Sequence, residues 1–365
     1  MEIVIHLGLH RTGSTALQGA LARARRRLAP HGVGYPALPE HRPVVAHALG
    51  AAEWTGPRGL AARLIARRRI RDWARAREAE GVSRLVLSDE TLAGDLDPCL
   101  TGRGPYPFAA RRLALLAEAL RPWPCRAVVA LREPGAWLAS ARAFAVSRRP
   151  QPDFGPARAA ALDPEGRGWA DLAAEIHAAF PNPVFWDAGL YETRPRRVHK
   201  LLVGRGAARE VRGARRQAER ARVNPSLPAA ALAALEAAHA AGETVDAARR
   251  AEIAAGAAAP GFAPARWDPW TAEERARLAA RYRDDLAAIR AMGLTVLGAK
   301  RPPKAGEPGE PGAGGGRRKG AGRKRGRGRD KNNRIRGAKG RAAGPAAAPH
   351  VIGTSAPGAR QGGPT

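Results

Sequence analysis

The chain is poor in cysteine, lysine and aromatic residues, and it has no long apolar run. Its 365 residues include only two cysteines, Cys99 and Cys125. Two thiols build neither a disulfide framework nor a zinc site, and the sequence offers no clear metal cluster. Both read as small structural residues. No stretch approaches the ~18 consecutive apolar residues of a membrane span. The opening Met1-Glu2-Ile3-Val4-Ile5-His6 lacks the basic start and sustained apolar core of a secretory signal. These absences predict a soluble, cytoplasmic protein with no transmembrane segment.

Acidic residues are scarce too. Lys+Arg number 62 against 33 Asp+Glu, a net charge of +29. Such a balance first suggests nucleic acid. Its distribution argues otherwise. Residues 1–298 hold 45 basic and 30 acidic residues, and Lys200 is their only lysine. With the heavy Ala, Gly and Pro content, this is the signature of a GC-rich genome writing basic positions as Arg. The remaining charge sits in residues 299–365, with 17 basic and 3 acidic residues, 17 Gly, 8 Pro and no Leu, Phe, Tyr or Trp. That segment has too little apolar surface to offset its chain entropy, which predicts a disordered tail. Its Arg317–Arg341 stretch has Gly-Arg spacing without aromatics for base stacking. Any contact with nucleic acid or an anionic surface is expected through this tail.

Residues 1–298 alternate strand-like and helix-like stretches. Ile3–Leu7, Arg84–Leu87, Ala127–Leu131 and Pro183–Trp186 are short apolar runs. Ser14–Leu28, Arg58–Glu80, Phe108–Leu120, Gly135–Val146, Arg194–Gly204 and Thr271–Met292 read as helices between or after them. Thr271 with Glu274 makes a capping box. This order predicts an α/β fold: a three-layer parallel sheet flanked by helices. Ala-rich residues 225–260 are expected to form a small helical insertion.

The first turn carries the chemistry. Strand Ile3–Leu7 leads into Gly8-Leu9-His10-Arg11-Thr12-Gly13-Ser14-Thr15, and a helix follows. Gly8 and Gly13 have the spacing of a phosphate loop, where backbone N–H groups and a helix N-terminus receive an anion. Ser14 stands where a nucleotide triphosphatase has its lysine. The cation lies instead inside the loop, at Arg11. The pattern favours a phosphate-like group and disfavours magnesium-assisted triphosphate chemistry.

His10-Arg11-Thr12-Gly13-Ser14-Thr15-Ala16-Leu17-Gln18 resembles the 5′-phosphosulfate loop of the sulfotransferases that use 3′-phosphoadenosine-5′-phosphosulfate (PAPS), their bacterial branch especially. Arg11 replaces the commoner Lys, which keeps the charge and changes its geometry. A second segment, Ala127-Val128-Val129-Ala130-Leu131-Arg132-Glu133-Pro134-Gly135-Ala136-Trp137-Leu138-Ala139-Ser140, resembles the family's other signature. Weaker likenesses lie in Phe185–Tyr191, Arg222–Leu227 and Tyr282–Asp285. The resemblance implies that Arg11, Thr12, Gly13, Ser14 and Thr15 hold the 5′ end of PAPS, and that Arg132 and Ser140 hold its 3′-phosphate. It also implies a P-loop NTPase-like fold, and sulfuryl transfer to a hydroxyl or amine of a glycan, lipid or small metabolite. No metal is required.

Arg11, Ser14 and Thr15 would stabilise charge on the leaving phosphate. The acceptor also needs a base. Glu90, following the second strand in Leu87-Ser88-Asp89-Glu90-Thr91, is the first candidate, with His10 and His47 behind it. Two other classes remain open. One is a P-loop nucleotide-dependent kinase. The other is a nucleic-acid binder acting through the basic tail.

Overall fold

The computed structural model describes residues 1–218, 227–257 and 267–298, with the backbone alone for 213–218. The basic segment 299–365, nearly all of the Arg222–Leu227 stretch and both ends of the 225–260 span lie outside the described residues.

Six strands form one sheet: β1 Glu2–Leu7, β2 Val33–Gly34, β3 Arg84–Ser88, β4 Cys125–Leu131, β5 Val184–Asp187 and β6 Thr295–Leu297. Their spatial order is β2-β3-β1-β4-β5-β6, and every pairing is parallel. In β1, Ile5 pairs with Leu87 of β3 on one side and Ala127 of β4 on the other. The chain therefore builds outward from β1 in both directions. The carboxyl ends of β1 and β4 flank the crevice where the winding reverses, which is where open α/β sheets collect ligands.

The helices are α1 Ser14–Leu28, α2 Leu38–His41, α3 Gly56–Ala79, α4 Ala109–Leu120, α5 Pro134–Val146, α6 Gly155–Leu162, α7 Trp169–Ala179, α8 Gly189–Thr193, α9 Pro195–Ala218, α10 Ala229–Ala240, α11 Ala247–Gly256 and α12 Ala272–Ala291. Alternate strand residues point to opposite faces. Ile3, Ile5, Leu85, Leu87, Ala127 and Val129 pack on one face against residues of α3, α4, α7 and α12. Val4, Val86, Val128, Ala130 and Trp186 pack on the other against α1 and α9. Both faces are covered, so the strands read as continuous apolar runs rather than as an alternation.

Several local rules hold. Thr271 Oγ1 accepts from Glu274 N at 3.2 Å, and Glu274 Oε2 accepts from Thr271 N at 2.9 Å, completing the capping box. The helix expected to stop at Gly204 continues to Ala218 after a break there, where Gly204 takes φ +82°. In the 225–260 span, α10 packs Leu232 and Leu235 against Ala143 and Val146 of α5. Among the described residues no helix is long and apolar enough to cross a membrane.

Candidate functional site

The loop 8–13 leaves the carboxyl end of β1 and enters α1 directly. Gly13 caps α1 in the left-handed region, φ +87°, with open space where a Cβ would sit. No side chain caps α1 and no acid occupies its first turn, so its leading N–H groups face outward unsatisfied by the loop. The neighbouring helix α5 differs. Glu133 fills its start, accepting from Gly135 N at 2.8 Å and Ala136 N at 2.6 Å. Of these two helix starts, the one behind the Gly-rich loop is open to an anion.

The loop is tightly folded. A Cβ on Gly8 would sit 2.7 Å from Ser14 Cβ, so only glycine lets the strand end approach the helix. The Thr12 hydroxyl turns back onto the Gly8 and Leu9 carbonyl oxygens. Thr12 and Ser14 are buried, whereas Thr15 is exposed. Arg11 is a non-glycine residue at φ +64°. That conformation costs about 1–2 kcal/mol and persists only where the surroundings enforce it.

Aromatic side chains supply that enforcement. The Tyr106 hydroxyl accepts from His10 N at 2.6 Å and lies 3.0 Å from His10 Nδ1. Trp137 Nε1 donates to His10 O at 2.8 Å, and Trp169 Nε1 donates to Arg132 O at 2.9 Å. The three rings form one packed series, with Tyr106 and Trp137 centroids 6.1 Å apart and Trp137 and Trp169 5.1 Å apart. Their polar tips hold the backbone of both sequence segments while their bodies fill the core.

The two segments meet. Arg132 Nη1 donates to Arg11 O at 2.8 Å, and Arg11 Nε donates to Ser140 Oγ at 2.9 Å. Arg11 also lies over the Phe144 ring, 5.2 Å from its centroid, with Arg148 at 4.8 Å from the same ring. Burial and the nearby Arg132 both lower the Arg11 pKa. Among the described residues, Arg11 has no carboxylate within ion-pair distance. Half-buried guanidinium groups brought together in this way favour a bound anion.

A second cluster lies at the end of β3. Asp89 is buried. Arg42 grips it through Nε and Nη2 at 3.0 and 2.8 Å, and Thr91 donates from both N and Oγ1. His41 Nε2 lies 3.3 Å from the same carboxylate. Hydrogen bonds from His41, Arg42 and Thr91 outweigh desolvation and hold the Asp89 pKa below its ordinary value. Glu90, by contrast, is half-exposed. Its oxygens accept from Arg42 Nη2 at 2.9 Å and Gln18 Nε2 at 3.0 Å.

His10 joins the two clusters electrostatically. Burial lowers its pKa, against the opposing pull of Glu90, Asp95 and Asp89. Among the described contacts, Nδ1 is the one acceptor within reach of the buried Tyr106 hydroxyl hydrogen. The network thus assigns the proton of the neutral imidazole to Nε2. His47 is elsewhere. It is exposed, and its backbone N–H donates to Arg42 O; no described contact joins its side chain to the loop.

Loop proximity thus brings Arg11, Thr12, Gly13, Ser14, Arg132 and Ser140 together, with His10 beside them and Glu90 at the adjoining strand end. His41, Arg42, Gln18 and Tyr106 escape sequence reasoning. Gly102 and Gly104 mark a turn just before Tyr106, which in sequence is the ordinary sign of a surface loop. Instead Tyr106 is fully buried, with φ +52°, and props the loop from beneath. Comparison of this chain with protein-family models, with curated proteins and with solved structures finds no match.

Proposed function

We propose that the chain is a PAPS-dependent sulfotransferase with a P-loop-like nucleotide site. The observation that carries this reading is the convergence of Arg11 with Ser140 and Arg132. Residues 121 or more apart in sequence meet beside an uncapped helix start, at the crevice where the sheet reverses. A nucleotide with phosphates at both ends of its ribose needs two neighbouring anion sites. The α1 N-terminus with Arg11, Ser14 and Thr15 would hold the 5′ end, and Arg132 with Ser140 the 3′-phosphate. The residues fit such a group: there is open space where a Gly13 Cβ would sit, and among the described residues Arg11 has no carboxylate within ion-pair distance.

Bound PAPS would supply an activated sulfuryl group whose S–O bond to phosphate breaks as the acceptor oxygen or nitrogen bonds to sulfur. The chain's share is positional and electrostatic. Arg11 and the α1 N–H groups stabilise charge on the departing phosphate. Glu90 takes the acceptor proton, with Gln18 and Arg42 fixing its orientation. His10, carrying its proton on Nε2, acts as a hydrogen-bond donor beside Glu90. The acceptor is a hydroxyl or amine of a glycan, lipid or small metabolite.

The strand order β2-β3-β1-β4-β5 also suits a P-loop kinase, but Ser14 at the lysine position argues against it. Mass spectrometry separates the two. The full chain is incubated with a mixed acceptor panel and either PAPS or Mg-ATP. Sulfated product with PAPS supports the proposal, and phosphorylated product with Mg-ATP supports the kinase.

A further inference from the structure

Five large apolar side chains are exposed among the described residues, and four of them crowd into one short stretch. Trp54 is 60% exposed, Leu60 55%, Leu64 48% and Ile65 67%. At 100° per residue, Leu60, Ala61, Leu64 and Ile65 fall on one arc of α3, opposite the buried Gly59, Ala66 and Ile70. Trp54 stands just ahead of the helix. Arg63 Nη1 donates to its carbonyl oxygen at 2.8 Å, which ties it to the first turns of α3. Beside this patch, a groove of about 580 Å³ runs between α3 and α4, with Trp54, Leu60 and Leu64 on one side.

The charge around the patch is predominantly positive. From Trp54 to Arg71 the chain holds six arginines, Arg58, Arg63, Arg67, Arg68, Arg69 and Arg71, and no acid. Arg67, Arg111 and Glu118 line the groove, with Glu118 3.8 Å from Arg67, and Asp72, just past this run, lies 3.6 Å from Arg68, so the arginines outnumber the acids without excluding them. Apolar side chains lead at the start of α3, and Arg67, Arg68 and Arg69 follow one to two turns behind them. Helices that lie in a membrane interface have this layout, with apolar groups below the headgroups and arginines level with the phosphates. A second copy of the chain is disfavoured, because a two-fold contact would set the same arginines against each other. The run of α3 also places the patch well. In a parallel sheet, the helix entering β3 must start at the carboxyl edge, so the patch and the Gly-rich loop lie at the same end of the sheet.

We propose that the Trp54–Arg71 surface docks the protein peripherally on an anionic phospholipid bilayer. The inference stands on this surface alone and is independent of the chemistry proposed for the loop. The test is co-sedimentation of the full chain with phosphatidylcholine vesicles, with and without phosphatidylserine. Wild-type protein should pellet with the phosphatidylserine vesicles only. Leu60→Ser with Ile65→Ser should weaken that binding at least about tenfold, because the inserted apolar area is lost. Arg68→Gln with Arg69→Gln should weaken it about 25-fold at low salt, near fivefold for each arginine. All four positions are exposed, and unchanged melting curves confirm that both variants fold. Equal binding by wild type and both variants would overturn the proposal and assign the contact to the basic segment 299–365. Absence of vesicle binding, together with a dimer lost in Leu60→Ser with Ile65→Ser, would overturn it in favour of self-association.

Discussion

Replacing Arg11 by alanine distinguishes a cation built for a ligand from one built for the fold. In the free protein, Arg11 contributes one hydrogen bond to Ser140 and one ring contact with Phe144. Each contributes roughly 0.5–1.5 kcal/mol. Against them stand the desolvation of a half-buried guanidinium and its repulsion by Arg132, the two causes that lower its pKa. The opposing effects are of similar size. Arg11→Ala should therefore leave the stability of the free protein within about 1 kcal/mol of wild type. Binding is different. A bound phosphate loses a charge-assisted partner in a desolvated site, a cost of about 2–4 kcal/mol. That corresponds to roughly 30- to 1,000-fold weaker affinity. Chemical denaturation without ligand and calorimetric titration with adenosine 3′,5′-bisphosphate read the two quantities separately. A large stability loss with unchanged affinity would refute the reasoning and make Arg11 a structural residue.

Three further outcomes follow from the geometry. Asp89→Asn should destabilise the fold by roughly 3 kcal/mol, the low end for a broken buried pair because Arg42 keeps part of its hydration. The Asp89 pKa is depressed on folding, so its contribution is present above the unfolded carboxylate value of about 4 and fades below it; denaturation at a series of pH values should show the gap between wild type and variant closing in acid. His6 is buried against Trp186 and Ser88, with its pKa lowered from 6.5 to about 3. The unfolded chain takes up that proton first, so stability is full above pH 6.5 and falls as the pH drops toward about 3; His6→Phe should flatten this decline. Gly13→Ala should cost about 1–2 kcal/mol in thermal unfolding, because the added Cβ meets no atom but the φ of +87° is unfavourable for it.

What was legible in the sequence divides by range. The Gly8–Thr15 turn is read within a few residues: a β-branched run, two glycines and helical spacing suffice. The cap at Thr271 and Glu274 is equally local. β2 and β6 escape the sequence reading because they are two and three residues long, too short for any period. At the site, Arg132 and Ser140 were found through a family resemblance rather than through a local pattern. Nothing local pairs Arg42 with Asp89, 47 positions on, or His10 with Tyr106, 96 positions on. Such pairs exist only once the sheet has brought the ends of β1, β3 and β4 together. Arg42 is also hidden by composition, since one arginine among so many carries no signal until its carboxylate is seen.

The central claim is that this crevice binds a nucleotide phosphorylated at both ends of its ribose without a metal ion. Calorimetric titration of the full wild-type chain with adenosine 3′,5′-bisphosphate in the presence of a chelator tests it most directly. The account predicts saturable binding with one nucleotide per chain, undiminished by the chelator. Absence of binding under those conditions, with binding of Mg-ATP instead, would contradict it.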